Sequence, residues 1–144
     1  MVKRRLLLTL ASLFMVVAAL PASANEGEAP KRRPLIKKVL IDENAAWSDK
    51  RSSSDETPEN CASFMLKESD VQRFFKIARF SSSHEQIHDL EVSRCYATGR
   101  AVLQDGREAT WLIDRARQGI FELDDGSALY FYCGKCSNRL YWSE

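Results

Sequence analysis

Two Asp-Gly dipeptides, Asp105-Gly106 and Asp125-Gly126, each separate a pair of runs rich in apolar and β-branched residues. A chain punctuated in this way is committed to antiparallel hairpins, because Asp-Gly suits a two-residue type I′ turn whose central residues both take positive φ. Around the first turn this predicts Val102 opposite Ala109, Arg100 opposite Trp111 and Thr98 opposite Ile113. Tyr96, Val102, Trp111 and Ile113 then share one face. The second turn joins Ile120-Phe121-Glu122-Leu123 to Ala128-Leu129-Tyr130-Phe131-Tyr132 through a run that also contains Gly119. The expectation is an antiparallel β-meander of three to four strands.

Ahead of the meander the pattern changes period. Val71, Phe74, Phe75 and Ala78 recur at i, i+3, i+4 and i+7, and Ser69 with Gln72 has capping-box spacing, which predicts a short amphipathic helix from Asp70 to about Arg79. Ser83 with Gln86 repeats that spacing and predicts a second helix from His84 towards Leu90. One or two short helices packed on one sheet face make an α+β domain over residues 61–144. Residues 25–60 differ, with a basic cluster from Lys31 to Lys38 and a polar stretch from Ser48 to Asn60, and read as a flexible polar arm. The alternative makes Lys37–Ile41 a strand that docks on the sheet edge.

The first residues explain how such a domain meets oxidising chemistry. Lys3-Arg4-Arg5 precedes an apolar run from Leu6 to Leu20, and Pro21-Ala22-Ser23-Ala24 ends it with a helix breaker and an Ala-x-Ala site. The run is shorter than the ~20 residues a membrane span needs, so 1–24 reads as a signal peptide cleaved between Ala24 and Asn25. The first cysteine is Cys61, which leaves no cysteine for a lipid anchor at that site. A periplasmic or secreted protein with no membrane anchor after cleavage is expected. Loss of three of the 21 basic residues against 20 acidic ones takes the formal charge from +1 to −2, which argues against nucleic acid as a partner.

In that compartment the four cysteines, Cys61, Cys95, Cys133 and Cys136, read as two disulfides, with Cys61 to Cys95 and Cys133 to Cys136 as the expected pairing. A strand followed by Cys133-Gly134-Lys135-Cys136 resembles the opening of a thioredoxin-like redox motif. The eight residues after Cys136 are too few for the helix and strands of that fold. His84-Glu85-Gln86-Ile87-His88 resembles the H-E-x-x-H motif of zinc metallopeptidases, which implies His84 and His88 as zinc ligands with Glu85 as general base. It departs from that family's setting. The motif opens at the first turn of its helix, is followed by charged Asp89, precedes the sheet, and has its nearest acidic candidate, Glu91, only three residues past His88.

Aromatic and cationic residues interleave towards the end of the chain: Arg94, Tyr96, Arg100 and Trp111, then Tyr130 and Tyr132, then Arg139, Tyr141 and Trp142. Such a face can bind a protein or a glycan through stacking, and Trp142, Tyr141 and Arg139 are its candidate contacts. Stacking of Arg100 on Trp111 within the sheet is the plainer account. The sequence therefore predicts a non-catalytic envelope protein that needs no cofactor and binds another protein or a cell-wall component. A zinc-dependent hydrolase centred on His84, Glu85 and His88 is the alternative.

Overall fold

A computed structural model describes residues 31–51 and 55–136. The signal segment with its Ala24/Asn25 junction lies outside the described residues, as do Arg139, Tyr141 and Trp142. In chain order the elements are β1 (Ile36–Trp47), α1 (Pro58–Cys61), α2 (Glu68–Ile77), β2 (Arg79–Ser81), α3 (Ser83–His88), β3 (Cys95–Leu103), β4 (Glu108–Asp114), β5 (Gln118–Leu123) and β6 (Ala128–Tyr132). The six strands form one antiparallel sheet in the order β1-β3-β4-β5-β6-β2. The architecture is α+β, and the expected three to four strands understate it. Among the described residues no helix is long and apolar enough to cross a membrane.

The two additional strands explain the miscount. β1 carries Lys37-Lys38 and Asp42-Glu43 as adjacent charged pairs, and its pairing with β3 shifts register three times. Both features erase the period-two pattern that marks a strand. Val39 is nevertheless fully buried, so Ile36–Trp47 belongs to the sheet and the arm expected over residues 25–60 is corrected there. The docking-strand alternative describes this segment. β2 has only three residues, paired with β6 from Arg79–Tyr132 to Ser81–Tyr130, too few to show any period.

Both Asp-Gly turns form hairpins, with a different geometry from the one predicted. Leu103 N–H donates to Arg107 O (2.9 Å) and Gly106 N–H to Leu103 O (3.0 Å), closing a three-residue loop. Leu123, Ser127 and Gly126 repeat this arrangement. Within these two loops only the glycines have positive φ, +88° at Gly106 and +82° at Gly126. Each aspartate instead serves as an acceptor: Asp105 Oδ1 takes the Arg107 N–H (3.1 Å) and Asp125 Oδ1 the Ser127 N–H (2.8 Å). The extra loop residue moves the register by one, so Gly99 faces Trp111 and Ala97 faces Ile113. A one-residue slip exchanges faces. Tyr96 and Val102 therefore lie opposite to Trp111 and Ile113, not beside them.

The helix stripe holds. Val71, Phe74, Phe75 and Ala78 are all buried, and Phe75 meets Phe121 and Phe131 edge-on at 5.0 and 5.2 Å between ring centres. A Cβ at Gly119 would lie 2.3 Å from Phe74, so the helix reaches the sheet only because β5 has no side chain there. The caps sit earlier than the spacing suggested. Helix α2 starts at Glu68, with Asp70 accepting the Lys67 N–H (2.8 Å), and in α3 Ser82 Oγ accepts the Glu85 N–H (3.0 Å). The expected N-caps Ser69 and Ser83 are inside their helices.

Candidate functional site

Helix α3 carries the H-E-x-x-H residues on its exposed side, with the two imidazole centres 4.4 Å apart. It has only six residues, a length that is marginal alone, and it is held from beneath. The buried Gln86 amide donates to Gly119 O and Phe131 O (3.0 Å each) and to Ser81 Oγ (3.4 Å), while Gln118 Nε2 donates to Gln86 O (3.4 Å). Glu85, the residue a peptidase would use as base, is committed elsewhere. Its carboxylate makes a two-point contact with Arg79, with Nη1 to Oε2 at 3.1 Å, and that bond holds the carboxyl below its ordinary range. Among the described residues no group of three or more His, Cys, Asp or Glu side chains could hold a metal.

A second arrangement lies on the sheet face that alternates with the core. Thr98, Leu112, Ile120 and Tyr130 are register partners across four strands, a row about 14 Å long at the usual strand spacing. All four are half-buried, and most of the row lines a shallow groove bounded by Asp42 and Glu122. Tyr96 and Tyr132 extend the face at one end. Arg51 lies over Tyr96, with its guanidinium 5.6 Å from the ring centre, and Arg79 and Arg117 flank Tyr132 at 5.2 and 5.6 Å. Arg100 grips Asp42 through two nitrogens.

The structure thus brings together Tyr96, Arg100, Tyr130 and Tyr132 of the aromatic and cationic set. Trp111 is removed from it. Its indole is buried against Gly99 and donates to Arg100 O (3.1 Å), so the expected Arg100–Trp111 stack does not form. Arg94 turns away and donates to Arg51 O (3.2 Å).

Beyond Tyr96 the same face is roofed by a polar seam that sequence reasoning missed. Asp114, fully buried, accepts from Arg51 Nη2 (2.9 Å), the Gln118 N–H (3.0 Å) and the Ser93 N–H (3.4 Å). Burial pushes its carboxyl up to about 6, against the opposing pull of the Gln118 amide and the Arg51 charge. Ser93 Oγ and the Arg94 N–H both donate to Glu56 Oε2 at 2.7 Å, and Trp47 Nε1 donates to Glu56 O at 2.8 Å. Three stretches distant in sequence, around residues 47–56, 93–94 and 114–118, meet here. The available signal was Asp114 itself, a carboxylate continuing the strand Trp111-Leu112-Ile113.

The four cysteines lie as the two expected pairs at disulfide distance, with Cα separations of 5.0 Å for Cys61 and Cys95 and 5.2 Å for Cys133 and Cys136. The first pair joins α1 to the start of β3 beside the seam. The second closes a short ring after β6. In comparisons with known proteins, no family model, no curated protein and no solved structure matches this chain.

Proposed function

We propose that the chain is an exported, non-catalytic binding module of the cell envelope, which engages a protein or cell-wall partner through the Tyr96–Tyr130–Tyr132 face of its sheet. The observation that carries this reading is the face itself. It combines half-buried tyrosines, the aliphatic pair Leu112 and Ile120, and guanidinium groups already stacked on two of the rings. Tyrosine and arginine are enriched at interface centres because they offer large contact area with a polar tip. The stacked arginines hold the rings in place before a partner arrives, which lowers the ordering cost of binding. The hydrolase alternative is less well supported, since its base would be Glu85 and that carboxylate is engaged by Arg79.

A photo-crosslinking residue placed at Tyr130 in envelope preparations tests the proposal, with Gln72, on the exposed side of α2, as the control position. A discrete adduct at position 130, absent at 72 and lost when Ile120→Asp is added, is the expected result. Equal labelling at both positions, or none at 130, overturns it. Glu85→Gln reports on the alternative: a zinc-dependent peptidase activity that this substitution abolishes would favour the hydrolase.

A further inference from the structure

The sheet face leaves the two histidines unused, and their geometry suits a task that needs no base. We propose that His84 and His88 form a two-imidazole surface site for a divalent transition-metal ion, Cu²⁺ ahead of Ni²⁺, with solvent completing the coordination. Nitrogen–metal bonds of about 2.0 Å along each ring's outward axis would set the ring centres about 4.5 Å apart for bonds meeting at a right angle, and about 5.2 Å apart for a tetrahedral angle. The observed 4.4 Å between ring centres puts the two imidazoles within reach of one shared ion. Among divalent first-row ions, Cu²⁺ stands highest in the affinity order for nitrogen sites.

Three further features support the chelate. Both imidazoles are exposed, so a hydrated ion reaches them without opening the fold. The helix that spaces them is fixed to β5 and β6 by the buried Gln86 amide, so the backbone that carries the two rings needs little ordering on binding. Glu85, the residue between them in the motif, is drawn to Arg79 on β2, which leaves the ion with imidazole and water and without a base aimed at that water. The site binds rather than hydrolyses, and it stands whether or not the sheet face has a partner.

Titration of the tag-free protein with CuSO₄, followed by calorimetry and electron paramagnetic resonance, tests this directly because the chain contains two histidines in all. One Cu²⁺ per chain with hyperfine structure from two nitrogens is expected. Affinity should fall by about tenfold or more in His84→Ala and in His88→Ala, and stay within about twofold in Glu85→Gln. His88→Ala combined with Asp89→His keeps the histidine count but moves one ring off the shared face, and should bind as weakly as the single variants. Absence of binding, tight binding that survives His84→Ala with His88→Ala, or full affinity in the displaced-histidine variant would each overturn the site.

Discussion

The aromatic core and the polar seam hold opposite faces of the same strands by different physics. The core joins Phe74 and Phe75 of α2 to Phe121 and Phe131 of the sheet, and is held by non-directional apolar burial. The seam joins Trp47, Arg51 and Glu56 to Ser93, Arg94 and Asp114, and is held by directional bonds to charged groups. A core tolerates small shifts of its members, whereas a buried carboxylate left without its donors loses far more than one bond. Arg51 and Glu56 lie in a polar part of the sequence yet are both held by the seam, Arg51 through Ser93 O and Asp114, and Glu56 through Ser93 and Arg94. For these two residues, lack of an apolar face is a poor guide to lack of order.

The largest test removes one side of the comparison altogether. A chain starting near Pro58 lacks β1, Arg51 and Glu56, which strips an edge strand from β3, the charged donor Arg51 from Asp114, and the acceptor Glu56 from Ser93 and Arg94. It should lose its cooperative thermal transition, as followed by circular dichroism. A sharp transition retained in that truncation would show that core and meander suffice. Within the core, Phe75→Ala should cost about 3 to 5 kcal/mol in urea denaturation, the usual range for a buried phenylalanine.

The cysteine pairs divide along the same line. Loop entropy assigns about 4 kcal/mol to the Cys61–Cys95 link, which spans 34 positions, and about 2 kcal/mol to Cys133–Cys136, which spans three. Replacing the first pair by serine should therefore lower the melting temperature more than replacing the second. Equal losses would mean that the seam already restrains the segment that the long link closes.

The helix stripe and the two hairpins were legible because each rests on a local rule: a 3.6-residue period, or a glycine at positive φ. The register was not, since Asp-Gly fits both a two-residue and a three-residue loop, and the choice depends on whether Asp105 takes positive φ or accepts from Arg107. β1 was hidden because Lys37-Lys38 and its bulges break alternation, and its burial depends on Val39 reaching a core built more than 20 residues later. The histidine motif could be read as spacing only. Nothing in the sequence says that Arg79 will occupy Glu85, or that Gln86 will anchor the helix between them.

The last expected effect is the most specific to the seam. Asp114 has its carboxyl raised to about 6 from an ordinary 3.8, so the folded state holds a proton there that the unfolded chain has released. Its contribution is fully present below about pH 4 and is lost as pH rises through about 6, a change of roughly 2 to 3 kcal/mol. Glu85, Asp105 and Asp125 are shifted the other way and add a slope of opposite sign at lower pH, so the informative quantity is wild type minus Asp114→Asn at each pH. That difference should decline between pH 4 and 6.5. Arg51 pulls the Asp114 carboxyl down, so Arg51→Met should extend the decline above pH 6 and destabilise the domain more at pH 7 than at pH 4. A flat difference across this range would mean that Arg51, Ser93 and Gln118 stabilise the carboxylate enough to cancel its burial. The seam would then hold as firmly at neutral pH as the aromatic core on the other face.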